Sequence, residues 1–137
     1  MSELNKIALK ILSNGKGILA ADESNGTMTK RLESVNVPST QENRLLFRET
    51  LFSSSAMKDF IGGVILYDET INQTTSSKQT IPELISKSGA VPGIKVDTGA
   101  KILAGSHEEK ITEGLDCLLY TSPSPRDAHE SRMPSSA

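Results

Sequence analysis

The sequence predicts an α/β fold: the first three strands of a (β/α)8 TIM barrel with their helices, followed by a disordered tail. Three apolar segments carry this prediction, because each lacks polar alternation and ends at an acidic residue. They are residues 18–21 before Asp22, residues 62–67 before Asp68, and residues 91–96 before Asp97. Roughly 45 and roughly 30 residues separate the acids, which leaves room for two βα units. Such segments are typical of strands buried on both faces of a parallel sheet.

Helical periodicity precedes and follows the first apolar segment. Apolar residues at helical spacing predict a helix over residues 3–13, and a shorter one around residues 28–35. Ser39 and Glu42 have the spacing of a capping box, with Ser39 as the N-cap of a helix that reaches about residue 53. These helices would cover the faces of the sheet.

The second half of the chain gives weaker signals. Residues 72–80 are polar and predict a loop. Thr80, followed two residues later by Pro82, predicts the start of a helix that ends near Lys87, just before the third strand. For residues 98–116 the pattern does not decide the secondary structure.

Length and composition divide the chain into two parts. A complete TIM barrel needs roughly 250 residues, and this chain has 137. Residues 1–116 carry the barrel pattern. Three of the six prolines fall in residues 117–137, a segment poor in apolar residues that predicts a disordered tail. This tail also resembles translated adaptor sequence, and we expect it to be an artefact unrelated to the fold.

Charge and cysteine content exclude several classes of function. The net charge is −2, from 15 basic and 17 acidic residues, so no basic field is available for nucleic acid or an anionic membrane. A small-molecule ligand is the expected partner. The sequence has neither a signal peptide nor a long apolar run, and we expect a cytoplasmic protein. The single cysteine excludes an internal disulfide and any multi-cysteine zinc site.

Two charged residues stand out in the strand pattern. Asp22 follows the first strand, and ligands of parallel α/β folds bind at the carboxyl ends of the strands. The pattern alone leaves open whether this carboxylate serves a site or pairs structurally with a lysine. Lys95 lies within the third apolar segment, where an ammonium group must be paired or must extend to solvent.

Several motifs resemble one enzyme family. They are KGILAADES at residues 16–24, ENR at 42–44, GGVILYDET at 62–70 and GIKVDTGAKILAG at 93–105. In this order they are similar to the N-terminal part of the class I, Schiff-base-forming fructose-bisphosphate aldolases. The resemblance covers about residues 1–116 and implies a TIM barrel and carbon–carbon lyase activity.

The resemblance also implies roles for individual residues. Asp22 would contact the substrate's hydroxyl groups beside the Schiff-base lysine, and Lys95 would face the same site and pair with Asp22. Arg31 would hold a substrate phosphate, with Ser24 and Thr27 as neighbouring hydroxyl donors. The alternative for Arg31, an ordinary arginine on the surface of a helix, stays open. At Thr27 the animal enzymes of the family usually have serine. The Schiff-base lysine itself would lie on a later strand, beyond this chain.

The remaining charged and histidine residues are expected to have structural roles or to be solvated. Glu23, Asp68 and Glu69 are interpreted as loop anchors, and His107 has no partner histidine or cysteine at ligand spacing. We therefore expect neither a metal nor another cofactor. This expectation agrees with the mechanism of the class I enzymes, in which an iminium replaces the metal of the other class.

Three hypotheses follow for function. The first is a glycolytic aldolase that cleaves fructose 1,6-bisphosphate into dihydroxyacetone phosphate and glyceraldehyde 3-phosphate, with this chain inactive by itself. The second is a non-catalytic module that binds a phosphosugar. The third is another phosphosugar lyase or isomerase on the same barrel. Full-length members of the family are expected to be homo-oligomers.

Overall fold

The computed structural model describes residues 1–115 and contains a three-stranded parallel sheet surrounded by helices. The tail predicted for residues 117–137 lies outside the described part. The helices are α1 Glu3–Leu12, α2 Asn25–Glu33, α3 Gln41–Phe52, α4 Ala56–Phe60, α5 Asp68–Ile71 and α6 Ile81–Lys87. The strands are β1 Gly17–Ala21, β2 Ile61–Leu66, β3 Val91–Ile94, β4 Ala100–Ile102 and β5 Lys110–Thr112.

The sheet has the predicted order and direction. β2 lies between β1 and β3, and both pairs are parallel. The register aligns Ala21 with Leu66 and Leu66 with Ile94, so the carboxyl ends of the three strands are level. Residues that follow the strands therefore meet at one edge of the sheet.

Burial of the strands differs from the sequence-based expectation. β2 is buried on both faces, since Gly62, Gly63 and Val64 are consecutive buried residues. For the two edge strands the expectation is wrong. In β1 only Ala21 is buried and Ile18 is 54% exposed, and all four residues of β3 are half-buried. The reason is position, because β1 is an edge strand of the described sheet and β2 is its centre.

The hydrophobic core joins β2 to the helices that follow it. Its buried residues come from the last residue of β1, from β2, from α3 to α6, and from the segment between α6 and β3. They are Ala21, Phe52, Met57, Val64, Leu66, Ile71, Ile81, Ile85 and Ala90. This core fixes α3 and α5 against the sheet, and both helices carry side chains that reach the site described below.

Helix α1 contacts all three parallel strands. Its C-terminal turn lies very close to the start of β2: a Cβ atom added to Gly62 would be 1.8 Å from the carbonyl oxygen of Ile11. The glycine is therefore required by the close approach of two backbones. None of the helix's own residues is buried within the described part of the chain.

Helix α3 begins one residue later than expected. Its N-cap is Thr40, whose Oγ1 accepts a hydrogen bond from the Asn43 amide at 3.2 Å. The predicted N-cap, Ser39, instead receives a hydrogen bond at 2.8 Å from the Thr29 hydroxyl of α2. The prediction of a capping box at Ser39 and Glu42 is wrong, because this tertiary contact occupies the serine.

Other helix boundaries follow local chemistry. α2 begins earlier than predicted because the Ser24 side chain caps it, and Val35 lies beyond its end. At α6 a complete capping box is present: Thr80 Oγ1 accepts from the Glu83 amide, and Glu83 Oε2 accepts from the Thr80 amide. The two strands that follow β3, namely β4 and β5, pair as an antiparallel hairpin. They lie in residues 98–116, for which the sequence pattern did not decide the secondary structure.

No helix within residues 1–115 is long and apolar enough to cross a membrane.

Candidate active site

A cleft of about 680 Å³ lies at the carboxyl ends of the three parallel strands. Its walls are the residues that directly follow each strand, together with the start of α2. The lining residues are Asp22, Glu23, Ser24, Thr27, Tyr67, Asp68, Lys95, Asp97, Thr98 and Gly99. The three acids that end the apolar segments thus share one cavity, as the parallel register requires.

Lys95 is held between two carboxylates in this cleft. Its Nζ lies 3.5 Å from Asp22 Oδ2 and 3.6 Å from Asp97 Oδ1. The Lys95 amide donates to the Leu66 carbonyl at 2.9 Å, which fixes the backbone beside the end of β2. The predicted Lys95–Asp22 ion pair is therefore present, and the side chain, 30% exposed, does not extend freely to solvent.

Asp97 is a second partner that the sequence did not predict for Lys95. Its position was visible, two residues after the lysine, but only the backbone conformation decides that both side chains face the same cavity. Asp97 also accepts a hydrogen bond from the Gly99 amide at 2.8 Å through Oδ1. This contact holds the carboxylate at the mouth of the cleft.

Two hydroxyl groups meet at the start of α2. Ser24 caps the helix, with its Oγ accepting from the Thr27 amide at 3.4 Å and lying 3.3 Å from Thr27 Oγ1. Both residues line the cleft. The N-terminal end of a helix favours negative charge, so hydroxyls and amides there are suited to an anionic group.

Arg31 lies outside the lining of the cleft. It is in the last turn of α2, 54% exposed, and forms an ion pair with Glu23, which does line the cleft. The structure therefore brings four of the five predicted site residues into one cavity: Asp22, Lys95, Ser24 and Thr27. The fifth residue, Arg31, lies outside this cavity and forms an ion pair with Glu23, which lines it.

Comparison with known proteins identifies the family of the chain. Residues 3–124 match the family model described as class-I glycolytic fructose-bisphosphate aldolase. The chain belongs to the class-I fructose-bisphosphate aldolase family. Its fold is accordingly the opening part of the aldolase TIM barrel, with the three parallel strands and helices described above.

Individual relatives agree with this assignment. Fructose-bisphosphate aldolase 2 of Caenorhabditis elegans is 49% identical over 116 residues, covering 85% of this chain and 32% of that protein. Chicken fructose-bisphosphate aldolase B is 53% identical over 116 residues, covering 84% and 32%. The chain thus spans about a third of the length of these curated relatives.

A solved aldolase has the same fold. The structure is that of Plasmodium falciparum fructose-bisphosphate aldolase in complex with TRAP and a small-molecule inhibitor. It superposes with a TM-score of 0.79 at 41% sequence identity, covering 86% of this chain and 34% of that one.

In this member of the aldolase family, α3 contributes two arginines that sequence reasoning did not select. Arg44 forms an ion pair with Glu69, and Arg48 Nη2 donates to the carbonyl oxygen of Glu23 at 2.6 Å. Of the three acids predicted to anchor loops, Glu23 lies in the turn after β1 and pairs with Arg31 and Arg48. Glu69 lies within α5 and links it to α3, and Asp68 lines the cleft. Arg44 closes the ENR motif, and the four-residue spacing of the two arginines places both on one face of a helix, but neither signal assigned them a site role.

The surroundings of these groups shift their pKa values. The hydrogen bond from Arg44 lowers the pKa of Glu69 and raises that of Arg44 itself. Burial lowers the pKa of Arg48, an effect that the charge of Glu23 partly opposes. Glu69 is therefore a carboxylate stabilised in its charged form, whereas Arg48 is a cation held in an unfavourable environment.

Proposed function

We propose that this chain is the N-terminal part of a class-I aldolase that reversibly cleaves fructose 1,6-bisphosphate into dihydroxyacetone phosphate and glyceraldehyde 3-phosphate in glycolysis. The observation that carries the proposal is the contact of Lys95 with Asp22 in a strand-end cleft of an aldolase-family chain. Cytoplasmic location and a homo-oligomeric full-length protein are part of the proposal.

Asp22 would bind the reacting part of the substrate. A retro-aldol cleavage needs an amine that forms an iminium with the ketose and groups that position the hydroxyl-bearing carbons. A carboxylate has two acceptor oxygens. Asp22 can therefore hold Lys95 through Oδ2 and accept a substrate hydroxyl through Oδ1, while Lys95 fixes its orientation and adds positive charge.

The start of α2 would bind one substrate phosphate. Ser24 and Thr27 offer hydroxyls, and Arg31 offers a planar fork of donors suited to phosphate oxygens. In the structure Arg31 is half-exposed and pairs with Glu23, which lines the cleft, so Arg31 lies next to the wall of the cleft that such a phosphate would contact.

The 137-residue chain would be inactive by itself. We propose that the iminium-forming lysine is supplied by a later strand of the full-length barrel. Sequencing the transcript beyond the codon for Asp116 from an independent library tests whether the reading frame continues toward such a strand.

The activity can be tested in a chimera of residues 1–116 with the remaining two thirds of chicken aldolase B. We expect this chimera to cleave fructose 1,6-bisphosphate. Asp22→Asn and Lys95→Met should each lower kcat by roughly a hundredfold or more. Lys101→Met is the matched control, because Lys101 is exposed on the hairpin and pairs only with Glu113 among the described residues. A folded chimera without cleavage would refute the proposal.

The alternative function is a non-catalytic module that binds a phosphosugar. It is favoured by one observation, namely that the hydroxyls of Ser24 and Thr27 line the cleft at the start of α2, a position suited to an anionic group. It predicts that the 137-residue chain binds fructose 1,6-bisphosphate saturably in a calorimetric titration and that Arg31→Ala weakens this binding. If the chimera cleaves fructose 1,6-bisphosphate and the 137-residue chain shows no saturable binding of it, the result supports the aldolase and excludes the binding module.

A further inference from the structure

We propose that Arg48 is a positioning residue: it fixes the peptide group between Glu23 and Ser24, and through it the orientation of Asp22 and the start of α2. This inference deepens the proposed function and rests on it for its catalytic consequence. The structural part can be tested without any activity.

Arg48, a residue of α3, contacts the turn that follows β1. Its side chain is completely buried, and Nη2 donates to the Glu23 carbonyl oxygen at 2.6 Å. Nη2 also lies 3.9 Å from Glu23 Oε2. Glu23 is the residue between Asp22 and Ser24, so one guanidinium group contacts both the main chain and the side chain of the link between two cleft residues.

The environment of Arg48 argues against a role in stability alone. Nε and Nη1 are buried and have no hydrogen-bond partner among the described residues. A buried charge with unpaired donors is expensive, and an apolar side chain of similar volume would pack there at lower cost. Features that oppose stability are found where function requires them. An apolar side chain could make neither the short hydrogen bond to the Glu23 carbonyl oxygen nor the longer ion pair with the Glu23 carboxylate.

Arg44 provides a contrast on the same face of α3, one turn earlier. Its guanidinium makes hydrogen bonds with both oxygens of Glu69 and with Ser39, which satisfies its donors. Arg44 anchors the segment after β2. Among the described residues it makes no direct hydrogen bond to the turn after β1, and its one link to the start of α2 is indirect, through Glu69, which accepts from Asn25 Nδ2 at 3.4 Å. It is therefore the matched control for a substitution of Arg48.

Hydrogen exchange in the 137-residue chain tests the positioning directly. The amides of Thr27 and Met28 donate to Ser24 in the first turn of α2. We expect Arg48→Met to increase their exchange at least tenfold while leaving the Leu84 amide of α6 unchanged. Arg48→Lys keeps the charge and one donor and should restore part of the protection. Equal exchange, a uniform increase over the chain, or failure of Arg48→Met to fold would overturn the inference.

A double-mutant cycle in the chimera tests the effect on Asp22. We expect Arg48→Met to lower kcat at least tenfold in the presence of Asp22 and to have no further effect in Asp22→Asn. Arg44→Met should change kcat per folded molecule by less than threefold. Additive losses from Arg48→Met and Asp22→Asn would overturn the inference. If the unsubstituted chimera is inactive, the proposed function fails and the exchange experiment alone decides this inference.

Discussion

Arg44 and Glu69 form a two-point ion pair that joins α3 to α5. Arg44 Nη2 lies 2.6 Å from Glu69 Oε1, and Nε lies 2.9 Å from Oε2. Both side chains are largely buried, at 13% and 17% exposed, and Arg44 Nη1 also donates to the Ser39 carbonyl at 2.7 Å. The planar fork of arginine matches a carboxylate in this geometry, so the pair fixes the segment after β2 against the helix.

Removal of this pair should destabilise the chain. We expect Arg44→Met to lower the free energy of unfolding by about 2 kcal/mol, because it leaves a largely buried carboxylate without its donors. Arg44→Lys should lower the free energy of unfolding by less than Arg44→Met does, because the lysine keeps the charge but cannot contact both carboxylate oxygens of Glu69. Urea unfolding measures the change. Lys101→Met, which breaks an exposed pair, is the control and should cost less than about 0.5 kcal/mol. Equal losses in Arg44→Met and the control would contradict this assignment.

The same pair should make stability depend on pH in the acid range. Arg44 lowers the pKa of Glu69 below its ordinary value of 4.5, so on acidification the unfolded chain takes up the proton first. The stabilisation is present above that ordinary value and is lost as pH falls through the lower pKa of the folded state. Unfolding in urea from pH 6 to pH 3 should therefore show a steeper loss for the unsubstituted chain than for Arg44→Met. Parallel curves would exclude this role of Glu69.

Gly62 should be intolerant of any side chain. In Gly62→Ala the new Cβ would lie 1.8 Å from the Ile11 carbonyl oxygen, so α1 must move away from β2. We expect a loss of about 3 kcal/mol or more in urea unfolding, together with increased proteolysis within α1. Gly17→Ala is the control, since its Cβ would meet only the Phe60 carbonyl oxygen, at 4.0 Å. A Gly62→Ala variant as stable as this control would show that α1 does not pack as described.

Arg31 should affect substrate binding more than the chemical step. In the chimera, Arg31→Ala is expected to raise KM for fructose 1,6-bisphosphate about tenfold with little change in kcat, because a phosphate contact is made equally in the ground and transition states. Lys30→Ala removes an exposed cation from the preceding position of the same helix and serves as control. Equal effects of the two substitutions on KM would show that Arg31 contributes only its general positive charge and makes no specific contact with the phosphate.

The sequence could predict the sheet and the centre of the site for a simple reason. Apolar segments that end in Asp22, Asp68 and Asp97 mark strand ends, and parallel pairing brings strand ends together. The pattern alone required the ammonium of Lys95 either to be paired or to extend to solvent. Its pairing with Asp22 was implied by the resemblance to the aldolases, and the structure shows the contact.

What the sequence could not predict depends on tertiary contacts. Arginine is rarely buried, so Arg48 in the middle of a helix has the appearance of a surface residue. Its partner is a backbone carbonyl, which has no sequence signature. Ser39 fits the N-cap pattern as well as Thr40 does, and only the contact with Thr29 decides between them. The exposure of Ile18 likewise follows from the edge position of β1.

The four-residue spacing of the two α3 arginines sets what kinds of change this part of the chain can accept. Each residue of a helix turns the next by about 100°. Deletion or insertion of one residue between Arg44 and Arg48 would rotate one of the two arginines by about 100° around the helix axis. Its guanidinium group would then no longer reach its partner, whichever residue was deleted or inserted. Substitutions at Leu46 and Phe47, whose side chains are exposed, leave both guanidinium groups in place. An insertion or deletion in this turn should therefore be far less tolerated than a substitution at one of its exposed positions.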